Sequence, residues 1–151
     1  MLDCGIYPIT YCYNLFGQPA QIECHGTLKD GVDQEEEVIL TQADGLRITI
    51  LISMVRFKGE ELVIIGDKGT ITNAFYHESG KTTLVRKNGQ KIEFKGYGGL
   101  DNEFTLVAEE ILNGQIESRY VPLQATLANL ATLDECRRQI GLVYPFETTA
   151  S

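Results

Sequence analysis

Polar and apolar residues alternate through most of residues 20–95, and this period of two restricts the chain to a fold built largely of β-strands. The segment AQIECHGTLKDG predicts one strand with a single solvent-facing side. Hairpins are predicted in EEEVILTQADGLRITILISMVRF, ELVIIGDKGTITNAFY and KTTLVRKNGQKIEFKG, because each contains a glycine-bearing turn between two alternating runs. We therefore expect about six or seven strands.

Helices are predicted on either side of this strand block. Residues 6–16, IYPITYCYNLF, form a helix that ends at Gly17, whose missing side chain suits a left-handed cap. After residue 100 the apolar period changes to 3.6, and EFTLVAEEILNG places four apolar residues on one side. These are Phe104, Val107, Ala108 and Ile111. A last helix lies between Pro122 and Gly141, with apolar positions at Leu123, Leu127, Leu130, Leu133 and Ile140. Separate blocks of strands and helices predict an α+β fold, an open-faced, mostly antiparallel sheet with helices packed on one face.

Length and charge narrow the classes of partner. The chain has 151 residues, the size of a single domain (1–151), and a formal net charge of -8, which disfavours nucleic acid and anionic membranes. It has no visible secretion signal and no apolar run long enough to span a bilayer. The four cysteines lack the spacing of a metal site, so we expect no metal and reduced thiols in a cytoplasmic protein.

Several charged or exposed positions have simple structural interpretations. The acidic run DQEEE is typical of a solvent-exposed start of a strand. Asp3 precedes a helix and suits an N-cap, whereas Tyr7 suits a core aromatic residue. The second side of LRITILISMVRF carries Leu51 and Val55, which is more apolar than a solvated face requires. A partner subunit covering the sheet would explain it.

Four motifs resemble those of one enzyme family. Asp3-x-Gly5-x-Tyr7 in LDCGIYP is similar to the D-x-G-x-H/Y motif of the glucose-fructose oxidoreductase / inositol dehydrogenase family (Gfo/Idh/MocA). GDKGTI resembles that family's G-x-x-G-x-I/L strand turn, GQIES its G-x-x-x-S segment, and RRQIGLVYPFE its R-x-Q-x-G-x-x-Y-P ending. The motifs occur in the same order as in the family, across essentially the whole chain. Their amino-acid sequences are most similar to those of the dihydrodiol dehydrogenase / D-xylose dehydrogenase branch.

The resemblance implies the C-terminal substrate and dimerisation domain of a two-domain NAD(P)-dependent dehydrogenase, with the fold of a glyceraldehyde-3-phosphate-dehydrogenase-like C-terminal domain. NAD or NADP would be bound mainly by an N-terminal Rossmann domain absent from this chain. GYGGL at residues 96–100 fails the G-x-G-x-x-G spacing, and no E-K-P motif with the family's catalytic lysine is present.

The same resemblance assigns roles to three residues. Tyr7 is implied as the catalytic acid/base, and Asp3 as the residue that orients the substrate hydroxyl or the catalytic lysine. Gly5 is implied to let the backbone approach the nicotinamide closely. Because Asp3 and Tyr7 are four positions apart, about one helical turn, both can face one pocket.

The implied substrates are sugars, polyols or dihydrodiols, and the implied assembly is a homodimer formed through the open sheet face. The fragment alone is expected to be inactive. Two alternatives remain open. One is a non-enzymatic protein-binding module that uses the sheet face. The other is a hydrolase or isomerase, which needs two carboxylates at a defined separation that this sequence does not pair persuasively.

Overall fold

The computed structural model describes residues 1–56, 59–76, 81–96, 100–144 and 147. Three helices and seven antiparallel strands confirm the α+β prediction, and the strands form two sheets of three and four strands. In chain order the elements are α1 (Ile6–Phe16), β1 (Gln21–Lys29), β2 (Val32–Thr41), β3 (Arg47–Ser53), β4 (Leu62–Gly66), β5 (Gly69–Asn73), β6 (Lys81–Arg86), β7 (Lys91–Lys95), α2 (Leu100–Leu112) and α3 (Leu123–Ile140). Residues 97–99 of GYGGL, Pro145 and Phe146 of the predicted ending, and the HESG segment before β6 lie outside the described residues.

The chain divides into two compact units, Met1–Phe57 with Arg119–Ser151, and Lys58–Ser118. The first contains α1, α3 and the sheet β1-β2-β3. Its core centres on the paired strands β2 and β3, where Val38 lies opposite Ile50 and Leu40 opposite Ile48. Helix α3 packs on β1, and a Cβ atom added to Gly26 would lie 3.1 Å from Ile140 Cγ2, so glycine allows this close approach.

Helix α3 buries a different side from the one that its leucines predicted. Leu123, Leu127 and Leu130 are exposed, and of the predicted positions only Leu133 is fully buried. The buried side is instead made largely of small residues: Ala125, Ala128, Asn129, Thr132, Leu133 and Cys136. Small side chains let α1 and β1 approach the helix closely, and the Asn129 amide donates to Thr10 Oγ1 over 3.1 Å.

The second unit contains α2 and the sheet β4-β5-β6-β7. Ile64, Ile71, Leu84 and Ile92 align across its four strands on one side of the sheet. The β6–β7 turn contains Asn88 and Gly89, as predicted, and Gly89 has the positive φ of 84° that such turns require. The predicted apolar side of α2 is largely exposed, with Phe104 at 74% and Ile111 at 67%.

The prediction for the outer face of β3 is confirmed, whereas one prediction for β2 is wrong. Leu51 lies on the outer face of β3, and Val55 comes just after the strand. They are 64% and 55% exposed, so this side is apolar and open, as predicted. Glu36, in the acidic run assigned to solvent, is only 4% exposed. Strand β2 begins at Val32, so Glu36 lies within it and shares the inner face with Val38 and Leu40.

Candidate active site

The three predicted site residues lie in a tight turn and in the helix that follows it. The Gly5 N–H donates to Met1 O over 2.8 Å and closes the turn, and α1 begins at the next residue. Asp3 lies inside this turn and is exposed. Tyr7, in the first turn of α1, is 58% exposed. The sequence thus presents a carboxylate and a phenol four positions apart on the surface of the first unit.

Neither simple structural interpretation of Asp3 and Tyr7 agrees with this geometry. The N-cap position of α1 is occupied by Gly5, and no side chain forms a capping hydrogen bond there. An N-cap role for Asp3 is therefore wrong. A core role for Tyr7 is also wrong, because more than half of the side chain is exposed. Both residues are accessible on the surface of the first unit.

Gly5 is the buried part of the motif. A side chain there would overlap the Met1 carbonyl oxygen, and its Cβ would lie 3.2 Å from Ile52 Cδ1. The Gly5 N–H and carbonyl are also used internally, since Ile9 N donates to Gly5 O over 3.3 Å. Internal packing is therefore sufficient to explain a glycine at this position, and a contact with the cofactor stays a prediction.

The turn packs against the three-stranded sheet. The Met1 side chain belongs to the core cluster of the first unit. Cys4 Sγ lies 3.3 Å from Met54 Sδ, at the end of β3. Sequence reasoning missed the burial of Glu36 on the inner face of this sheet, where the residue is 4% exposed. The available signal was the period of two, which places Glu36 on the same side of β2 as Val38.

The C-terminal motif of this chain, RRQIGLVYPFE, has a structural role beside this sheet. The Gln139 side chain accepts from Cys24 N over 2.7 Å and donates to Ile22 O over 2.8 Å, so it pairs with the outer edge of β1. Gly141 caps α3 in the left-handed conformation. Arg137 stacks 4.6 Å from the ring centroid of Tyr144 and binds Glu147. Within the described residues, Gln139 of this motif joins the end of α3 to β1.

Two of the buried thiols, Cys12 and Cys136, have raised pKa values, whereas the hydrogen bond with Cys136 lowers the pKa of Cys24. Burial raises the pKa of Cys12 to about 11. The pKa of Cys136 is raised by its hydrogen bond with Cys24, then by burial and by the nearby charge of Glu36. All four cysteines are free, and three of them are buried. These three are thus small core residues, as expected from the sequence.

Within the described ranges, no group of three or more His, Cys, Asp or Glu side chains is placed to hold a metal ion. None of the helices in this part of the chain is long and apolar enough to cross a membrane.

Comparison with known proteins finds one family model and several dehydrogenases that this chain resembles. Residues 1–72 match the family model of the GFO/IDH/MocA C-terminal domain. A scyllo-inositol 2-dehydrogenase (NADP(+)) from Bacillus subtilis (strain 168) is 28% identical over 150 residues, covering 96% of this chain and 45% of the relative. A trans-1,2-dihydrobenzene-1,2-diol dehydrogenase from Danio rerio is 29% identical over 159 residues, covering 95% of this chain and 47% of the relative.

A solved structure has the same fold. The UDP-N-acetylglucosamine 3-dehydrogenase from Acidithiobacillus ferrooxidans superposes with a TM-score of 0.77 at 14% identity, over 91% of this chain and 46% of that chain. The chain is therefore similar to C-terminal domains of the GFO/IDH/MocA family, and the family model matches its first 72 residues. It spans slightly less than half the length of the curated relatives it matches.

Proposed function

We propose that this chain is the substrate-facing domain of an NAD(P)-dependent oxidoreductase that transfers hydride between a nicotinamide cofactor and a hydroxyl or carbonyl carbon of a sugar, polyol or dihydrodiol. The observation that carries the proposal is that Asp3, in the turn, and Tyr7, in the first turn of α1, are both exposed within the 72 residues that match this family's model. The names of the relatives, an inositol dehydrogenase and a dihydrodiol dehydrogenase, support the substrate class.

The residues present fit the substrate side of a nicotinamide site. The turn offers an exposed carboxylate and the first turn of α1 an exposed phenol, whereas the sequence contains no glycine-rich phosphate loop. We therefore assign most of the nucleotide binding to a separate Rossmann domain, with Gly5 beside the nicotinamide ring. When bound, the nicotinamide supplies the hydride acceptor or donor.

The chain's own residues would handle the proton. As the carbinol C–H bond breaks with its electron pair, the O–H bond also breaks and its proton passes to the oxygen of deprotonated Tyr7. In the reverse direction Tyr7 returns the proton to the forming hydroxyl. An ordinary phenol has a pKa of about 10, so a neighbouring cation such as the family's lysine is needed to favour the deprotonated form. Asp3 accepts a hydrogen bond from the substrate hydroxyl or from that lysine and orients it.

The test compares this chain with the longer protein that we propose contains it. The purified chain is expected to give no NAD(P) reduction with a panel of polyols, aldoses and dihydrodiols, because it lacks the phosphate loop. The longer protein is expected to reduce NAD or NADP with at least one of them. Turnover by the chain alone would contradict the division of roles between two domains, and the nicotinamide absorbance is the readout.

We also propose that the domain pairs with a second copy through the outer face of the β1-β2-β3 sheet, in a cytoplasmic enzyme. Leu51 and Val55 supply the exposed apolar surface that supports this assignment. A stable interface typically buries about 800 Å² on each partner.

Light scattering at micromolar concentration is expected to report a dimer, and Leu51→Glu is expected to shift it toward monomer because the new charge would be buried. Leu127→Glu, at a position on α3 that is 61% exposed, is the matched control and should leave the dimer intact. A monomeric wild-type chain would contradict this interface.

The exposed outer face also favours one alternative, a protein-binding module without catalysis. The coding sequence upstream of Leu2 distinguishes the two proposals. A Rossmann half with a glycine-rich loop and an E-K-P motif supports the dehydrogenase, and a true start codon at that point supports the module.

A further inference from the structure

A hydrogen bond joins α3 to α1, the helix that carries Tyr7. The Asn129 side chain on α3 is 3% exposed, and its Nδ2 donates to Thr10 Oγ1 on α1 over 3.1 Å. The other polar atom of this side chain, Oδ1, is buried and accepts no hydrogen bond within the described residues. Burying an amide with one polar atom unpaired costs free energy that an apolar side chain of the same shape would not cost. Stability alone therefore does not explain an asparagine at this position.

The buried side of α3 that carries Asn129 is otherwise made largely of small side chains. Ala125 and Ala128 are buried on it, and the Thr132 hydroxyl donates to Ala128 O of the same helix over 3.1 Å. Short side chains form shallow ridges and grooves, which specify only weakly how one helix is rotated against another. A hydrogen bond depends on direction as well as on distance, so the contact with Thr10 can specify that rotation.

The rotation of α1 decides where the Tyr7 phenol lies. Tyr7 and Thr10 are three positions apart on α1, so their side chains are neighbours on the helix surface. Thr10 is half-buried, whereas Tyr7 is 58% exposed. The Cα atoms of a helix lie about 2.3 Å from its axis, and a phenolic oxygen lies several ångströms further out. A small rotation of α1 therefore moves this oxygen much further than it moves the backbone.

Asp3 is positioned by different contacts. It precedes α1, in the turn whose Gly5 packs against Ile52 of β3. The distance between Asp3 and Tyr7 therefore depends on the rotation of α1 against α3 as well as on the packing of the turn against β3. A displacement of about 1 Å at a reacting group can lower a rate on the order of 10²-fold.

We propose that Asn129 is a positioning residue that fixes the rotation of α1 through Thr10 and so holds Tyr7 in place relative to Asp3. The catalytic consequence rests on the proposed function, but the positioning of α1 does not. Asn129 touches neither substrate nor cofactor in this scheme, because its side chain is buried. Removing the hydrogen bond would loosen α1 on α3 and leave the three-stranded sheet in place.

Amide hydrogen exchange on the 151-residue chain tests the positioning directly. Thr10→Val keeps the shape of the side chain and a similar helix propensity, and it leaves the buried Asn129 Nδ2 without its acceptor. The Cys12 and Tyr13 amides of α1 are expected to exchange on the order of tenfold faster, while the amides of β2, the central strand of its sheet, keep their protection.

Three further variants complete the exchange experiment. Thr10→Ser, which keeps the hydroxyl, should retain most of the protection of α1. Asn129→Leu should act in the same direction as Thr10→Val and serves if that variant does not fold. Thr132→Val is the matched control, because it removes a buried hydroxyl that bonds within α3 rather than across to α1. It should leave the exchange of the α1 amides unchanged.

Equal exchange of the α1 amides in Thr10→Val and Thr132→Val would overturn the proposal, and so would a loss of protection of the same size in β2. A second arm measures steady-state kinetics in the longer protein. Thr10→Val is expected to lower kcat on the order of tenfold with little change in KM, and Thr10→Ser to retain the wild-type kcat. A kcat in Thr10→Val equal to that of Thr132→Val would overturn the catalytic consequence. If the wild-type longer protein shows no turnover, the proposed function fails, and the exchange result alone decides the positioning of α1.

Discussion

Replacing Tyr7 with phenylalanine is expected to lower kcat roughly 10²- to 10⁴-fold in the longer protein that we propose contains this chain. The substitution removes only the phenolic oxygen, which is the proposed proton acceptor. Because Tyr7 is 58% exposed, the free energy of unfolding should change by no more than about 0.5 kcal/mol. Steady-state kinetics and urea unfolding of the same preparations measure the two effects.

Tyr13→Phe is the matched control for this prediction. Tyr13 lies on the same helix six positions later, on another side of it, and the variant loses the same oxygen atom. It should retain the wild-type kcat. A Tyr7→Phe enzyme with wild-type kcat would contradict the acid/base assignment, and an equal loss in both variants would indicate a general effect on the helix.

Gly5→Ala is expected to destabilise the chain by about 1–3 kcal/mol, because the added methyl group enters a space that is already filled. The new Cβ would overlap the Met1 carbonyl oxygen and press on Ile52 Cδ1. Gly5 has φ of -74° and ψ of -28°, a conformation open to any residue, so the cost is steric. Chemical denaturation measures it.

Gly66→Ala tests whether this cost is specific to the turn. A Cβ at Gly66 would have its nearest neighbour at 3.7 Å, an ordinary contact distance. The control variant should therefore unfold within about 0.5 kcal/mol of the wild type. A Gly5→Ala chain as stable as Gly66→Ala would show that the turn is not tightly packed against the sheet.

Most of the secondary structure could be predicted because its signals are local. The boundaries of α1 and α3 follow from Gly17, Pro122 and Gly141, and the β6–β7 hairpin follows from Asn88 and Gly89. Each of these residues acts through its own backbone preferences. The alternating pattern likewise identified the inner side of β3, where Ile50 and Ile52 are buried.

The packing was less predictable because it depends on distant parts of the chain. The leucines of α3 suggested its buried side, but the space left by α1 and β1 suits the smaller Ala125 and Ala128. Glu36 was assigned to solvent because of its charge, although its position in the alternating pattern placed it on the inner face.

The candidate site was found through its family motif rather than through its chemistry. An acid, a glycine and a tyrosine at this spacing are common, and spacing alone also allowed an N-cap and a core aromatic residue. The structure removed those two interpretations by placing Gly5 at the N-cap and Tyr7 on the surface. The roles of Asp3 and Tyr7 in a reaction stay predictions, since they depend on a substrate and on a nucleotide-binding domain.

The transfer of deuterium to the nicotinamide tests the central claim most directly. The longer protein would be incubated with NAD or NADP and a polyol or dihydrodiol deuterated at its carbinol carbons, and the reduced cofactor would be analysed by mass spectrometry. The account predicts that the wild-type enzyme transfers one deuterium atom per turnover and that Tyr7→Phe transfers it roughly 10²- to 10⁴-fold more slowly. Reduced cofactor without deuterium, or equal rates in the two enzymes, would contradict it.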